Sequence, residues 1–495
     1  MDVNAGSRLA WTDVPVLPAV LLFSICFFVS SLIPPFQSPD EGAHIKRAYL
    51  LARGQFVLHS PQGQPPSGDL DLIGGMVDSG LVAYVDAYYK LRFAPGRRVS
   101  ADEVAIADGL SWTGAKEFSP AYQPSPLVSN FPGIYLPQAL GLALGEGLGL
   151  SIDRSYRLSR FMALSVASAV LGVAFSIYSP SALTLSLLVI PMSIFQMSSA
   201  SIDGVATAVS ILAVSIFMKI ASDKQESNRR FLAVMAVSVF VVASSRQHLS
   251  ALVFLIVATF YYTRKNTSLL AGGGVATLLA VWSYVSHVMM GNGSVILDPS
   301  PSVNMAYYLA HPGALVKVLV ATWTNKDLLK FYFQSFLGVL GWLDARFADR
   351  VYLQMFALIV LIACVSISFK KTRDDWPARV SLLLCGMGSV LLVFLGDLIF
   401  LNRYSDTLIH MVQGRYFLVP ALLVAYALDP GKRKEWETRR LAGSLLLAIL
   451  VLFSVSTTTK LLLGRYYIPA QQPVLRSTDA RPDGARRGRA RRRRA

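Results

Sequence analysis

Asp40, His44 and Arg47 stand at i, i+4 and i+7 in the stretch IPPFQSPDEGAHIKRAYLLARGQ, residues 33–55. On a helix these positions share one face. A carboxylate, an imidazole and a guanidinium side by side suit proton transfer and the binding of an anion. Ser38-Pro39-Asp40-Glu41 predicts the start of that helix, with Ser38 as N-cap, Pro39 at the first helical position and Glu41 closing a capping box. Glu41 therefore either caps the helix or joins Asp40 as a second catalytic carboxylate. The same two side chains are the candidate ligands of a divalent cation, Mg2+ or Mn2+, although no complete ligand set is apparent.

The element that must carry this helix is the apolar run just before it, residues 14–33. The chain has 495 residues, 53% hydrophobic and 15% charged, with a mean hydropathy of +0.48. These values exclude a soluble enzyme built on one core and point to a multi-pass membrane protein. The net charge of +16 sits in short joints between apolar runs and in one tail. That distribution serves orientation in a membrane, so no nucleic-acid partner is expected. Cys26, Cys364 and Cys385 all fall in apolar runs, against a disulfide framework or a zinc site. The first run ends SLIPP, a poor cleavage site, and reads as a retained span.

Further spans are expected over 159–177, 181–199, 203–220, 230–244, 249–263, 268–289, 352–369, 379–401, 414–428 and 441–463. The fold class is thus all-α integral membrane, with about eleven transmembrane helices and a range of ten to thirteen. Basic joints at Lys224 to Arg230, Arg264-Lys265, Lys370 to Arg379 and Lys432 to Arg440 belong on the cytoplasmic side, and an even number of spans separates each from the next. With residues 1–13 also cytoplasmic, residues 34–158 form a long first outer loop and 290–351 a second. Residues 131–149 then cannot cross; they lie along the membrane surface or re-enter it. Residues 464–495, ending ARRGRARRRRA, form a basic tail with no apolar residue beyond Leu475, expected to be disordered.

This parity gathers polar residues on the outer side: Asp40, Glu41, His44, Arg47, Asp203, Arg246, His248, Asp344, Arg346, Gln413, Arg415 and Tyr416. Arg415 heads an apolar span, where a guanidinium is costly without an anionic partner. Asp203 either caps its helix or orients a substrate. Arg246 and His248 mark either the interface or the site. Trp342 and Tyr416 also suit an aromatic belt.

Four motifs occur in order over residues 15 to 465: PPFQSPDEGAHIKRA, SASIDG, GWLD and QGRYFLVP. The combination resembles a bacterial family of polytopic membrane proteins of unknown function. That family in turn is similar to the GT-C superfamily of membrane glycosyltransferases. The resemblance implies a GT-C-like arrangement, an acidic pair in the first outer loop, surface helices after it, and a sugar donor linked to polyprenyl phosphate. Residues 131–137, FPGIYLP, resemble the start of such a surface helix, with Asn130-Phe131-Pro132 where His-Pro-Pro is usual.

The chemistry expected is direct displacement at the outer face of a bacterial cytoplasmic membrane. Asp40 takes the proton of an acceptor hydroxyl on an envelope glycan, lipid or protein, and Arg415, Arg346 and Arg246 hold the departing lipid phosphate. No Walker-type loop is present, in keeping with a lipid-linked donor. A transporter or flippase of a polyprenyl-linked or envelope glycolipid is the alternative. It should place charge near the middle of spans around broken helices, and Asp397 is the evident acidic candidate. A non-catalytic assembly protein of the envelope is the third reading.

Overall fold

The computed structural model describes residues 15–58, 73–121, 129–224, 228–290, 300–367, 375–429 and 437–468. The expected cytoplasmic segment 1–13, most of the basic tail and the basic stretches at 370–373 and 432–434 lie outside the described residues.

The chain is mostly helical. Helix α1, Leu17–Leu32, leads through a tight loop into α2, Glu41–Ala52. Strand β1, Ile73–Asp78, helices α3, Ser79–Tyr89, and α4, Ala101–Asp108, and strand β2, Lys116–Ala121, follow. Then come α5, Leu136–Gly147, and α6, Ile152–Ile177. Two short helices succeed them, α7, Ala182–Leu188, and α8, Pro191–Met197. Next are α9, Asp203–Asp223, α10, Arg229–Ser245, α11, Val253–Thr263, and α12, Thr267–Met290. Residues 300–346 fold into α13, Pro301–Ala310, α14, Pro312–Thr324, α15, Lys326–Gly338, and strands β3, Val339–Leu340, and β4, Ala345–Arg346. The rest is α16, Asp349–Ser366, α17, Trp376–Phe400, α18, Leu418–Leu428, and α19, Glu437–Tyr466. The all-α expectation omitted the two small antiparallel ribbons, β1 with β2 and β3 with β4.

Among the described residues, six helices are long and apolar enough to cross a membrane: α6, α9, α12, α16, α17 and α19. Shorter apolar helices include α1, α14 and the stretches Gln247–Thr263 and Gly414–Leu428. The central element is α9, whose apolar window is 83% buried, against 17% for α12 and α16 at the periphery. It packs on α6, which also carries α1 and α5.

One expectation about elements changes. The run 181–199 is not one span. Pro191 has no amide proton and its ring excludes a continuous helix, so the run divides into α7 and α8 around Val189 and Ile190. Residues 131–149 form α5, whose twelve residues rise about 18 Å and are too short to cross. Its two faces differ. Gly141 and Gly145 meet Ser159 and Ser155 of α6 so closely that a Cβ would fall about 2.5 Å and 2.4 Å from them. The spacing is that of small-residue helix contacts in membranes. On the opposite side Leu136, Leu140, Leu144 and Leu148 form an exposed stripe, 44 to 71% accessible.

Candidate functional site

Helix α2 starts later than its sequence signals suggest. Its first residue is Glu41, and its N-cap is Asp40, held in the left-handed region at φ 64°. Ser38 is not the cap, because its Oγ finds no partner among the described residues. What survives of the capping box is one weak return bond, from the Ser38 N–H to Glu41 Oε2 at 3.4 Å. Asp tolerates the left-handed conformation better than most residues. Earlier in the same loop Phe36, itself at φ 60°, is held through its backbone: its N–H reaches the Tyr156 hydroxyl at 3.2 Å, and Trp342 Nε1 donates to its carbonyl at 3.0 Å.

Glu41 is fully buried and its carboxylate is saturated. Oε1 accepts from Tyr156 at 2.9 Å, Arg160 Nε at 2.9 Å and the Ala200 N–H at 2.6 Å, while Oε2 accepts from Arg160 Nη2 at 3.0 Å. Arg160 also donates to the carbonyls of Ser30, Ile33 and Pro34, at the end of α1. Glu41 is thus a clamp joining α1, α2, α6 and the loop before α9. The paired carboxylates expected for catalysis, or for a cation, are not formed, since one is occupied by a guanidinium. Among the described residues no group of three or more His, Cys, Asp or Glu is placed to hold a metal ion.

The open carboxylate is Asp40, its side chain 47% exposed. Arg415 faces it, with Nη2 3.5 Å from Asp40 Oδ2 and Nη1 3.9 Å from Asp203 Oδ2. Asp203 also pairs closely with Arg246, so two carboxylates alternate with two guanidinium groups. Arg415 is positioned by the turn Gly414–Phe417. That turn fits against α15 only because residue 414 lacks a side chain: a Cβ there would lie 2.2 Å from the backbone of Tyr332 and Phe336. The Arg415 side chain is 6% exposed, and its Nε has no partner among the described residues. Gln413 Oε1 is buried and without one as well. Tyr416 accepts from Arg415 Nη2 at 3.4 Å, and its ring lies 5.9 Å from that of His248. At 3.5 Å and 3.9 Å the contacts of Arg415 are longer than a charge-assisted hydrogen bond, so an anionic oxygen could displace them.

His44 adjoins the cluster but is held neutral. Burial, then the Arg246 charge, lower its pKa to about 4. Asn130 donates to the Tyr135 hydroxyl at 3.1 Å, and that hydroxyl lies 3.0 Å from His44 Nδ1. Because the folded form resists protonation, stability is full above pH 6.5 and falls as pH drops from 6.5 toward 4. The loss should reach on the order of 3 kcal/mol. Thermal melts from pH 7 to pH 4.5 should show a shallower decline for His44→Gln than for the wild type; parallel curves would rule out this source.

Three expected members lie elsewhere. Arg47 turns away and ties the end of α2 through the Gln55 and Phe56 carbonyls, at 3.0 Å and 2.7 Å. Asp344 forms a separate pair with Arg465 at 2.7 Å. Arg346 is exposed, over the Phe331 ring at 5.9 Å, and does not reach the cluster. Among the described residues the GWLD motif is hydrogen-bonded to the segment ahead of α2 through Trp342. Arg160 and Tyr156 were missed. Arg160 was legible as a guanidinium in an apolar run, but its partner lies 119 residues away.

Relationship follows from the sequence around this cluster. A family model described as "Predicted membrane protein (DUF2142)" matches residues 122–424, more than half of the chain. The chain belongs to that family. The DUF2142 match contains Asp203, Arg246, His248, Gln413, Arg415 and Tyr416, while Asp40 precedes it. No curated protein and no solved structure matches the chain. The multi-pass membrane character of this DUF2142 protein agrees with its apolar helices.

Proposed function

We propose that this protein is a membrane glycosyltransferase that moves a sugar from a polyprenyl-phosphate donor to an envelope glycan, lipid or protein on the outer face of a bacterial cytoplasmic membrane. The observation that carries the reading is the half-exposed Asp40 carboxylate facing a buried Arg415 with an unoccupied Nε. In the step proposed, the acceptor oxygen forms a bond to the anomeric carbon as the bond from that carbon to the phosphate oxygen breaks. The acceptor proton passes to Asp40, the bonding electrons leave with the lipid phosphate, and the configuration inverts. Arg415 and Arg246 stabilise the leaving phosphate, and Asp203 holds both guanidinium groups in place. The resemblance to GT-C enzymes adds support, as does the leucine stripe of α5, suited to rest on lipid.

Transfer from a synthetic polyprenyl-phosphate sugar to a detergent extract of bacterial envelope added as acceptor, measured with purified protein, tests the reading. Arg415→Ala should weaken donor binding at least tenfold, and Arg415→Lys should restore only part of it, since an ammonium lacks the guanidinium fork. Unchanged donor affinity in Arg415→Ala would remove Arg415 from this role. Sidedness has its own test in a Cys364→Ala background. An impermeant maleimide added outside should label Leu148→Cys, ahead of α6, but not Trp376→Cys, at the start of α17. Labelling of both or neither contradicts the orientation.

A transporter of a lipid-linked glycan is the second reading, and one observation favours it. Helices α7 and α8 are a broken, buried pair, and Asp397 in α17 keeps a buried oxygen without a partner among the described residues. Substrate-dependent passage across vesicles without sugar transfer would decide for it.

A further inference from the structure

Helices α1, α6, α9 and α10 each have one end near the Asp40–Arg415 cluster. Asp40 follows α1, Asp203 opens α9, Arg246 follows α10, and Arg160 lies in the first half of α6. Their other ends enclose a groove of about 660 Å³. The helices rise about 24 to 39 Å, so the groove lies in the opposite membrane leaflet from the cluster.

Its walls are apolar, with Ala19 and Phe23 from α1, Val173 from α6 and Phe231 from α10. Gly172 forms part of the wall: a Cβ there would make only ordinary contacts, 3.8 Å from Ala19 and 3.9 Å from Val16. Three polar side chains, Ser168, Ser176 and Lys219, break the apolar surface. Ser168 lines the groove, is 8% exposed, and its Oγ has no hydrogen-bond partner among the described residues. A helical serine usually satisfies itself on a carbonyl of the preceding turn, as Ser176 does on Gly172 at 2.8 Å. Ser168 therefore keeps a donor for a group that the described residues do not supply. At the rim stands Lys219, paired with Asp223 at 3.0 Å. Exposed Lys224 follows the end of α9, and exposed Arg229 and Arg230 begin α10 next to the lining residue Phe231, so this end of the helices is positive.

An acyl chain suits the walls, an ester carbonyl suits the Ser168 hydroxyl, and a phosphate suits the basic rim. Basic pockets between membrane helices bind anionic head groups for this reason. We propose that the groove is a binding site for one anionic phospholipid of the leaflet opposite the catalytic cluster. The ligand would brace the four helices that position that cluster, and the site stands whether or not the glycosyltransferase reading holds.

The test is native mass spectrometry of the full-length protein in detergent, titrated with phosphatidylglycerol or with phosphatidylcholine. The wild type should retain one phosphatidylglycerol more tightly than phosphatidylcholine. Lys219→Gln should weaken phosphatidylglycerol about fivefold, the worth of one rim charge, and leave phosphatidylcholine unchanged. Gly172→Leu, which fills the groove, should abolish retention of both. Equal retention of the two lipids, or retention unaffected by Gly172→Leu, overturns the proposal. No retained lipid in the wild type overturns it too and leaves the groove to another occupant, such as the chain ahead of Val16. Lys219 is partly exposed, so its variant remains informative if Gly172→Leu fails to fold.

Discussion

Asp40→Asn is expected to lower sugar transfer by roughly two to four orders of magnitude, the contribution of a positioned general base. Among the acidic side chains of the cluster, Asp40 alone combines exposure with an outward carboxylate; Glu41 is fully buried, and the Asp203 side chain is 12% exposed and bound to Arg246. The substitution should leave folding intact. Asp40 makes no side-chain bond that caps α2, and its contact with Arg415 is long. Asn also accepts the left-handed conformation at this position. The measurement is turnover of a polyprenyl-phosphate sugar by wild type and variant at matched protein and detergent. Wild-type turnover in Asp40→Asn would eliminate Asp40 as the base.

A loss of stability of about 3–5 kcal/mol is expected for Arg160→Met, because it leaves Glu41 charged and buried without its cation. Several carbonyls at the end of α1 lose their donor in the same step. Glu41→Gln should be severe for the reciprocal reason, although Gln satisfies a capping box as well as Glu does. The double variant should recover part of the loss, since neither charge is then stranded. Arg157→Met is the control. Arg157 is 55% exposed and pairs with Asp153 one helical turn away, an arrangement worth little. Melting temperatures of the four proteins in one detergent decide the matter: a similar small shift for Arg160→Met and Arg157→Met would remove the clamp from the account of the fold.

Local signals were reliable where the determinant was local. The apolar runs were readable from composition and length. Arg415 was readable too, because a guanidinium at the head of an apolar span is costly wherever the chain folds. The capping box failed for a specific reason. Its pattern is satisfied within four residues, yet the Glu41 carboxylate gains more from Arg160, Tyr156 and the Ala200 amide than from one weak bond to Ser38. That competition moved the helix start to Glu41 and set Asp40 at its cap.

The periodicity that put Asp40, His44 and Arg47 on one face held for His44 and Arg47 within the helix and failed at Asp40, which is its left-handed cap. Arg47 is long enough to reach back to the carbonyls that follow its own helix, and it does so. His44 is buried beside Tyr135, and burial, then the Arg246 charge, holds it neutral. The GWLD carboxylate was drawn to Arg465, 121 residues further on.

The sequence by itself determined that this chain is a membrane protein of many helices, because the cost of an unpaired backbone in lipid depends only on which residues are apolar and for how long. It also determined which ionisable residues stand at the ends of those helices. The tertiary structure alone decided which acid meets which base. Pairing energy depends on distance and on shielding from water, and both are set by contacts between segments more than a hundred residues apart. Glu41 and Asp40 are neighbours in the chain, yet one is sealed against Arg160 and the other is left open before Arg415.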